Sequence, residues 1–262
     1  MSETTSLDGT TISYDERGSG PAVILVDGAF CSRVFGPSTR IAPLLAHRFS
    51  VITYDRRGRG ASGDATMYSP AREVEDLAAL IKAAGGRASL VGLSSGAALA
   101  LEAAASGLPI DKVVAYEAPY VDEAGTGAGA AHEGQLQERL LKGDRGGAVK
   151  YFMKDMVGVP SIVVTIMPLM PWVWGKLKKA AHTLPYDAQI MTAFRIPRAR
   201  FAAIRLPVLV MAGSKTQPRL LDAAQALARL IPAAQYRELA RQTHNVDPAV
   251  LVPAVMEFLG AA

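Results

Sequence analysis

Cysteine is almost absent: Cys31 stands alone among 262 residues. That excludes an internal disulfide and leaves no thiolate cluster of the zinc-binding kind. Aromatic residues make up only 6% of the chain and net charge is only +4. Apart from Arg56, Arg57 and Arg59 the basic residues are scattered, so no nucleic-acid footprint is present. The opening Met-Ser-Glu-Thr-Thr-Ser has neither a basic nor an apolar region, so no secretion signal is read there and a cytoplasmic location is expected. Residues 156–175 carry no charge at all. Their length suits a membrane span, but Pro160, Pro168 and Pro171 interrupt them. The expectation is therefore no membrane contact but an apolar lid, with Phe30, Met167, Met170, Trp172 and Trp174 lining a substrate pocket.

What is present is a large hydrophobic content, half of all residues, enough for one α/β domain with an insertion. Continuous apolar runs at Ala22 to Val26, Ser50 to Asp55, Ser89 to Leu93, Lys112 to Tyr116 and Leu206 to Gly213 suit strands buried on both faces. Thr10 to Asp15 alternates as an edge strand does. Helical patterns separate these runs, including one opening at Ser69-Pro70, where Ser69 can cap and Pro70 suits the first turn. Its acidic residues Glu73, Glu75 and Asp76 read as a solvated face. The alternation stops from about residue 120 to 200, where 124–134 reads as a flexible connection and 136–156 as a helix broken at Gly143 and Gly146-Gly147. It resumes with a helix at 220–230, a strand at Ala234 to Leu239 and a last helix capped by Asp247-Pro248. This predicts a core of residues 1–120 and 201–262, a mostly parallel sheet with helices on both faces, and a lid at 121–200.

Within that pattern, Gly92-Leu-Ser94-Ser-Gly96 sits between an apolar strand and a run of strong helix formers. Such an elbow holds a nucleophile in a strained conformation and needs small residues two positions to either side. Only Ser94 meets the condition; Ser95 is flanked by Leu93 and Ala97. Gly58-x-Gly60-x-x-Gly63 formally matches a dinucleotide fingerprint, but no helix opens on its last glycine and no acidic residue ends a following strand, so nucleotide binding is not expected. A serine needs a neutral imidazole as base and an acid to orient it. His244, on the loop between the last strand and the last helix, is the expected base.

Taken together, Asp27-Gly28, Tyr54-Asp-Arg-Arg-Gly-Arg-Gly-Ala-Ser62, Gly92 to Gly96, Val208 to Gly213 and Thr243-His244 make the chain resemble the α/β-hydrolase superfamily over nearly its full length. Members usually carry the catalytic aspartate three residues beyond the equivalent of Gly213, where this chain has Thr216. Some instead carry the acid after the strand that follows the elbow helix, which is Glu117. Fungal zearalenone lactonases look similar in this respect, and certain haloalkane dehalogenases also use a glutamate there, though dehalogenation needs an aspartate in place of Ser94. The resemblance implies a Ser94-His244-Glu117 triad, with Ser95 and either Gly28 or Ala29 supplying oxyanion-hole amides. Asp27 is expected to turn its charge away from that hole, toward the Arg56 to Arg59 turn. It also implies hydrolysis of a carboxylic ester or lactone of a mainly apolar small molecule, without metal or organic cofactor. Carbon–carbon bond hydrolysis, peracid formation and an apolar-ligand trap without turnover are the alternatives, and a homodimer is compatible with the sequence.

Overall fold

In the computed structural model, residues 1–65, 67–121 and 128–260 are described. Eight strands form one sheet in the order β1-β2-β4-β3-β5-β6-β7-β8: β1 (Ser2–Thr5), β2 (Thr11–Arg17), β3 (Ala22–Val26), β4 (Ser50–Tyr54), β5 (Ala88–Leu93), β6 (Ile110–Tyr116), β7 (Val208–Gly213) and β8 (Ala234–Leu239). β1 and β2 run antiparallel to their neighbours and the remaining pairs are parallel. The expected edge strand is thus interior: β2 lies between β4 and the unanticipated β1, which takes the edge.

Strand periodicity assigns the two cores. Val23 and Leu25 of β3 face the layer made by α1 (Ser38–Leu45) and the C-terminal helix Pro248–Gly260. Ile24 and Val26 face α2 (Pro70–Ala83) and α3 (Ser95–Ala105) on the other side. α3 is buried along its whole alanine-rich length, Ser95 to Ala104. Small side chains let it approach the sheet closely, and truncating a buried leucine such as Leu99 costs about 2–5 kcal/mol.

Between β6 and β7 the described chain is helical. It comprises α4 (Ala128–Leu141), α5 (Arg145–Tyr151) running into a π-helical turn at Phe152–Met156, then α6 (Ser161–Ile166), α7 (Pro171–Ala180), α8 (Leu184–Ile190) and α9 (Arg198–Phe201). The predicted flexible stretch is partly helix, since α4 begins at Ala128, while residues 122–127 lie outside the described residues. The helix break occurs at Gly143, with φ of 74°. Gly146 and Gly147 instead fall inside α5, because the Asp144 carboxylate caps it by accepting the Gly147 N–H at 2.7 Å. The uncharged run 156–175 is divided among the π turn, α6 and α7; among the described residues no helix is long and apolar enough to cross a membrane. After β7, α10 (Pro218–Leu230) returns to the sheet, and α11 is the C-terminal helix Pro248–Gly260, with Asp247 Oδ1 accepting the Ala249 N–H at 3.0 Å.

Two local expectations are corrected. Ser69 precedes α2 in extended conformation, but its side chain makes no cap bond. Glu73 and Asp76 are each only 1% exposed rather than solvated. The reason is charge pairing with the equally buried arginines that follow β4. Arg56 Nε and Nη2 reach the two Glu73 oxygens at 2.6 and 2.8 Å, and Arg57 Nε and Nη2 reach the two Asp76 oxygens at 2.8 and 2.6 Å. Planar guanidinium forks meet carboxylates edge to edge, a geometry that offsets the cost of burying both charges.

Candidate active site

The parallel strands β3, β5 and β6 end side by side, and each leads into a non-glycine residue with positive φ. Ser94 has φ of 56° after β5, Glu117 has 49° after β6, and Phe30, in the loop after β3, has 64°. None is glycine, so each conformation carries strain that the surrounding structure must hold. At Ser94 that support is visible: its N–H donates to Tyr116 O at 2.9 Å, and its carbonyl accepts the first helical bonds of α3 from Ala97 and Ala98. A side chain at Gly96 would collide with the Val26 carbonyl, so the elbow closes only with glycine there.

Glu117 is completely buried. Its Oε2 lies 2.7 Å from His244 Nδ1 and accepts the Thr216 hydroxyl at 3.0 Å, while Oε1 accepts the Gly213 N–H at 2.8 Å. The carboxylate is therefore satisfied on both oxygens and fixed in direction. With Nδ1 turned to Glu117, the ring nitrogen left for the site is Nε2. The loop carrying His244 is tied down by Tyr116, whose hydroxyl donates to Thr243 O at 2.5 Å. Burial and the neighbouring Glu117 push that phenol well above its ordinary range, so it stays a neutral donor.

Ser94, Ser95, Ala29 and His244 share the wall of one cavity of about 80 Å³. Gly28 adjoins it so closely that a methyl group there would sit 3.1 Å from Ser94 Cβ. The rest of the wall differs from expectation. It comes from the π turn (Phe152, Met156, Val157), from Met191 and Phe194, and from Pro119, Val121 and Leu220, with Gln217 and Arg219 as polar members. Met167 is buried elsewhere in the core, and Met170 and Trp172 are 49% and 66% exposed. Trp174 packs over Gly146 on the outer side of α5. Phe30 stands behind the wall, edge-on to Phe152 at 5.3 Å between centroids. Residues 160–175 line none of this cavity, because the prolines divide them into short helices on which Met167 and Trp174 pack against other core residues while Met170 and Trp172 stay exposed. Phe194 left no signal in the sequence. It closes a kink at Thr192–Phe194 in which three successive non-glycine residues have positive φ.

Asp27 is buried and turns its carboxylate toward the loop before α1, where Oδ2 accepts the Ser38 N–H at a long 3.4 Å and Oδ1 has no partner among the described residues. Arg56 meets the Asp27 main-chain carbonyl rather than the carboxylate. Burial raises the Asp27 carboxyl to about 6, against the opposing pull of Ser38, Arg59 and Arg56. Among the described residues, no group of three or more His, Cys, Asp and Glu side chains could hold a metal ion.

Residues 22–254 match the Alpha/beta hydrolase family. An alpha/beta hydrolase from Sphaerobacter thermophilus is similar in structure, with a TM-score of 0.91 and 46% identity over 98% of this chain and 100% of that one. An esterase from Thermogutta terrifontis has a TM-score of 0.75 at 21% identity, covering 99% of this chain and 97% of that one. The enol-lactonase from Burkholderia xenovorans has a TM-score of 0.70 at 17% identity, covering 98% of this chain and 100% of that one. These last two likenesses show the fold alone. Of curated relatives, the protein named "Putative non-heme bromoperoxidase BpoC" from Mycobacterium tuberculosis is 34% identical over 93 residues, so the match spans 35% of each chain. With the family matched over most of its length and a 46% identical structure covering nearly all of it, the chain belongs to the alpha/beta hydrolase family.

Proposed function

We propose that the chain is a serine hydrolase that cleaves a carboxylic ester or lactone of a mainly apolar substrate. The observation that carries this reading is the 2.7 Å contact between His244 Nδ1 and the fully buried Glu117, in a cavity whose wall also holds Ser94. Glu117 orients the imidazole and stabilises its protonated form. His244 Nε2 takes the proton as Ser94 Oγ attacks the carbonyl carbon. The resulting oxyanion is met by the Ser95 N–H and by the Gly28 or Ala29 N–H. Collapse breaks the carbon–oxygen bond, and His244 returns the proton to the departing alcohol oxygen. Water, deprotonated by the same imidazole, then attacks the acyl-enzyme and frees the acid. In a lactone both products stay joined as one hydroxy acid. The mostly apolar wall supports a hydrophobic acyl group, and the esterase and enol-lactonase that share the fold fit the substrate class.

A panel of p-nitrophenyl esters of rising chain length and of lactones tests this. Turnover by the wild type and its loss in Ser94→Ala is the expected result; no turnover of any member by a folded protein contradicts it.

A further inference from the structure

A buried carboxylate of the inserted helices reaches into the core beside the Ser94 elbow. Asp187 lies fully buried on α8, in the inserted helices, yet its partners come from the core. Its Oδ1 accepts the Ser95 hydroxyl at 2.7 Å and Arg56 Nη1 at 2.9 Å, and its Oδ2 accepts Arg59 Nη2 at 2.6 Å. The same two guanidiniums continue to the main chain of the loop after β3. Arg59 Nη1 donates to Gly28 O at 2.8 Å and Arg56 Nη1 to Asp27 O at 3.3 Å.

These contacts fix the amides that face the nucleophile. No cis peptide occurs among the described residues, and in a trans amide the N–H points opposite to the carbonyl. Holding the carbonyls of Asp27 and Gly28 against the arginines therefore directs the N–H groups of Gly28 and Ala29 the other way. Ala29 lies in the cavity wall with Ser94. The remaining amide donor belongs to Ser95, whose hydroxyl Asp187 holds. Arg56 is itself gripped by both Glu73 oxygens, and Arg59 Nε donates to Thr183 Oγ1 at 3.0 Å, again on the inserted segment. Although burial alone would raise the Asp187 carboxyl, Arg59, Arg56 and the Ser95 hydroxyl outweigh it and hold the group below its ordinary range.

We propose that Asp187 is a positioning residue for the oxyanion hole: from the inserted helices it sets, through Arg56, Arg59 and Ser95, the backbone donors on both sides of the nucleophile. This rests on the serine-hydrolase reading. Its consequence is that the inserted helices must be seated on the core for the site to be competent. An oxyanion gains from donors only when they already stand at hydrogen-bond distance from it, so a small tilt of either amide weakens the transition state more than the bound substrate.

The test uses two variants of the full chain. Asp187→Asn keeps the shape and removes the charge; Ser95→Ala removes the hydroxyl, with its contacts to Asp187 and to Arg56 Nη1 at 3.4 Å, and leaves the amide at position 95 and the Asp187 contacts of both arginines. For each, kcat and KM on a short p-nitrophenyl ester are measured, with the inhibition constants of an alkyl trifluoromethyl ketone, which forms an oxyanion on the serine, and of a matching secondary alcohol, which does not. The expected result is a kcat lowered about 10- to 100-fold in Asp187→Asn and about 3- to 10-fold in Ser95→Ala, with KM and alcohol binding little changed. Affinity for the trifluoromethyl ketone should fall in step with kcat. A role confined to neutralising two buried arginines would lower the melting temperature and leave kcat of the folded variants intact, and that result overturns the proposal. Should Asp187→Asn fail to fold, unchanged kcat in Ser95→Ala overturns it alone. An active wild type with equally active variants refutes only this inference, whereas a wild type that hydrolyses nothing and resists fluorophosphonate refutes the underlying reading as well.

Discussion

Thr216 donates its hydroxyl to Glu117 Oε2 at 3.0 Å. On the proposed triad, the position where similar hydrolases usually carry the acid thus supports an acid supplied by the end of β6. Glu117→Gln should lower kcat by about two to four orders of magnitude without unfolding the chain, as loss of an orienting carboxylate does in serine hydrolases. Thr216→Asp should also harm activity, because two adjacent carboxylates in a buried site cannot both ionise freely. Combining Thr216→Asp with Glu117→Ala should recover part of the activity lost in Glu117→Ala alone. Steady-state kinetics of the four variants check this, and a fully active Glu117→Gln contradicts it.

Asp27 makes stability depend on pH. Its carboxyl is raised by burial from 3.8 to about 6 in the folded protein, so between about pH 4 and pH 6 the folded state holds a proton that the unfolded state has released. Stability from this group is therefore full below about pH 4 and is lost as pH rises through about 6. Asp27→Asn removes the penalty and should stabilise the protein at pH 8 by about 1–3 kcal/mol, the gain disappearing near pH 4. Urea titrations at the two pH values measure it; no gain at pH 8 would contradict the account.

The Arg57–Asp76 pair, buried on both sides, should behave unlike a surface pair. Asp76→Ala leaves a buried guanidinium with less compensation and should cost about 3–5 kcal/mol. Glu257→Ala breaks the exposed pair with Arg237, and solvent screening should leave the unfolding transition where it was. Equal effects of the two variants on thermal melting would show that burial is not what distinguishes them.

Chain-length preference should follow the observed wall. Phe194→Ala and Met156→Ala enlarge the cavity and should shift the optimum of kcat/KM toward longer acyl chains by about tenfold relative to acetate esters, the worth of roughly two buried methylenes at about 0.8 kcal/mol each. Trp172→Ala, outside the wall and exposed, should leave the preference unchanged. A shift caused by Trp172→Ala instead would relocate the acyl pocket.

The sheet and the elbow were readable because they depend on local pattern. Apolar runs mark strands buried on both faces, and the small residues around Ser94 have a steric cause at Gly96. Glu117 stood out as a carboxylate at a strand end, whereas its contact with His244 is visible only in the fold. The cavity wall was not readable, since Phe194 reaches it through a kink without glycine and Trp172 is turned outward by packing that composition does not record. Glu73 and Asp76 look like an exposed acidic face until their arginine partners, distant in sequence, are placed beside them. β1 is too short and polar to stand out, and pairing with β2 is what makes it a strand.

The most direct test is intact-mass and peptide-mass analysis after exposure to a fluorophosphonate, which phosphonylates an activated serine. The account predicts a single adduct on Ser94, formed rapidly in the wild type and strongly slowed in His244→Ala and Glu117→Gln. No adduct on a folded wild type, or an adduct on Ser94 whose rate is the same without His244 and Glu117, would contradict it.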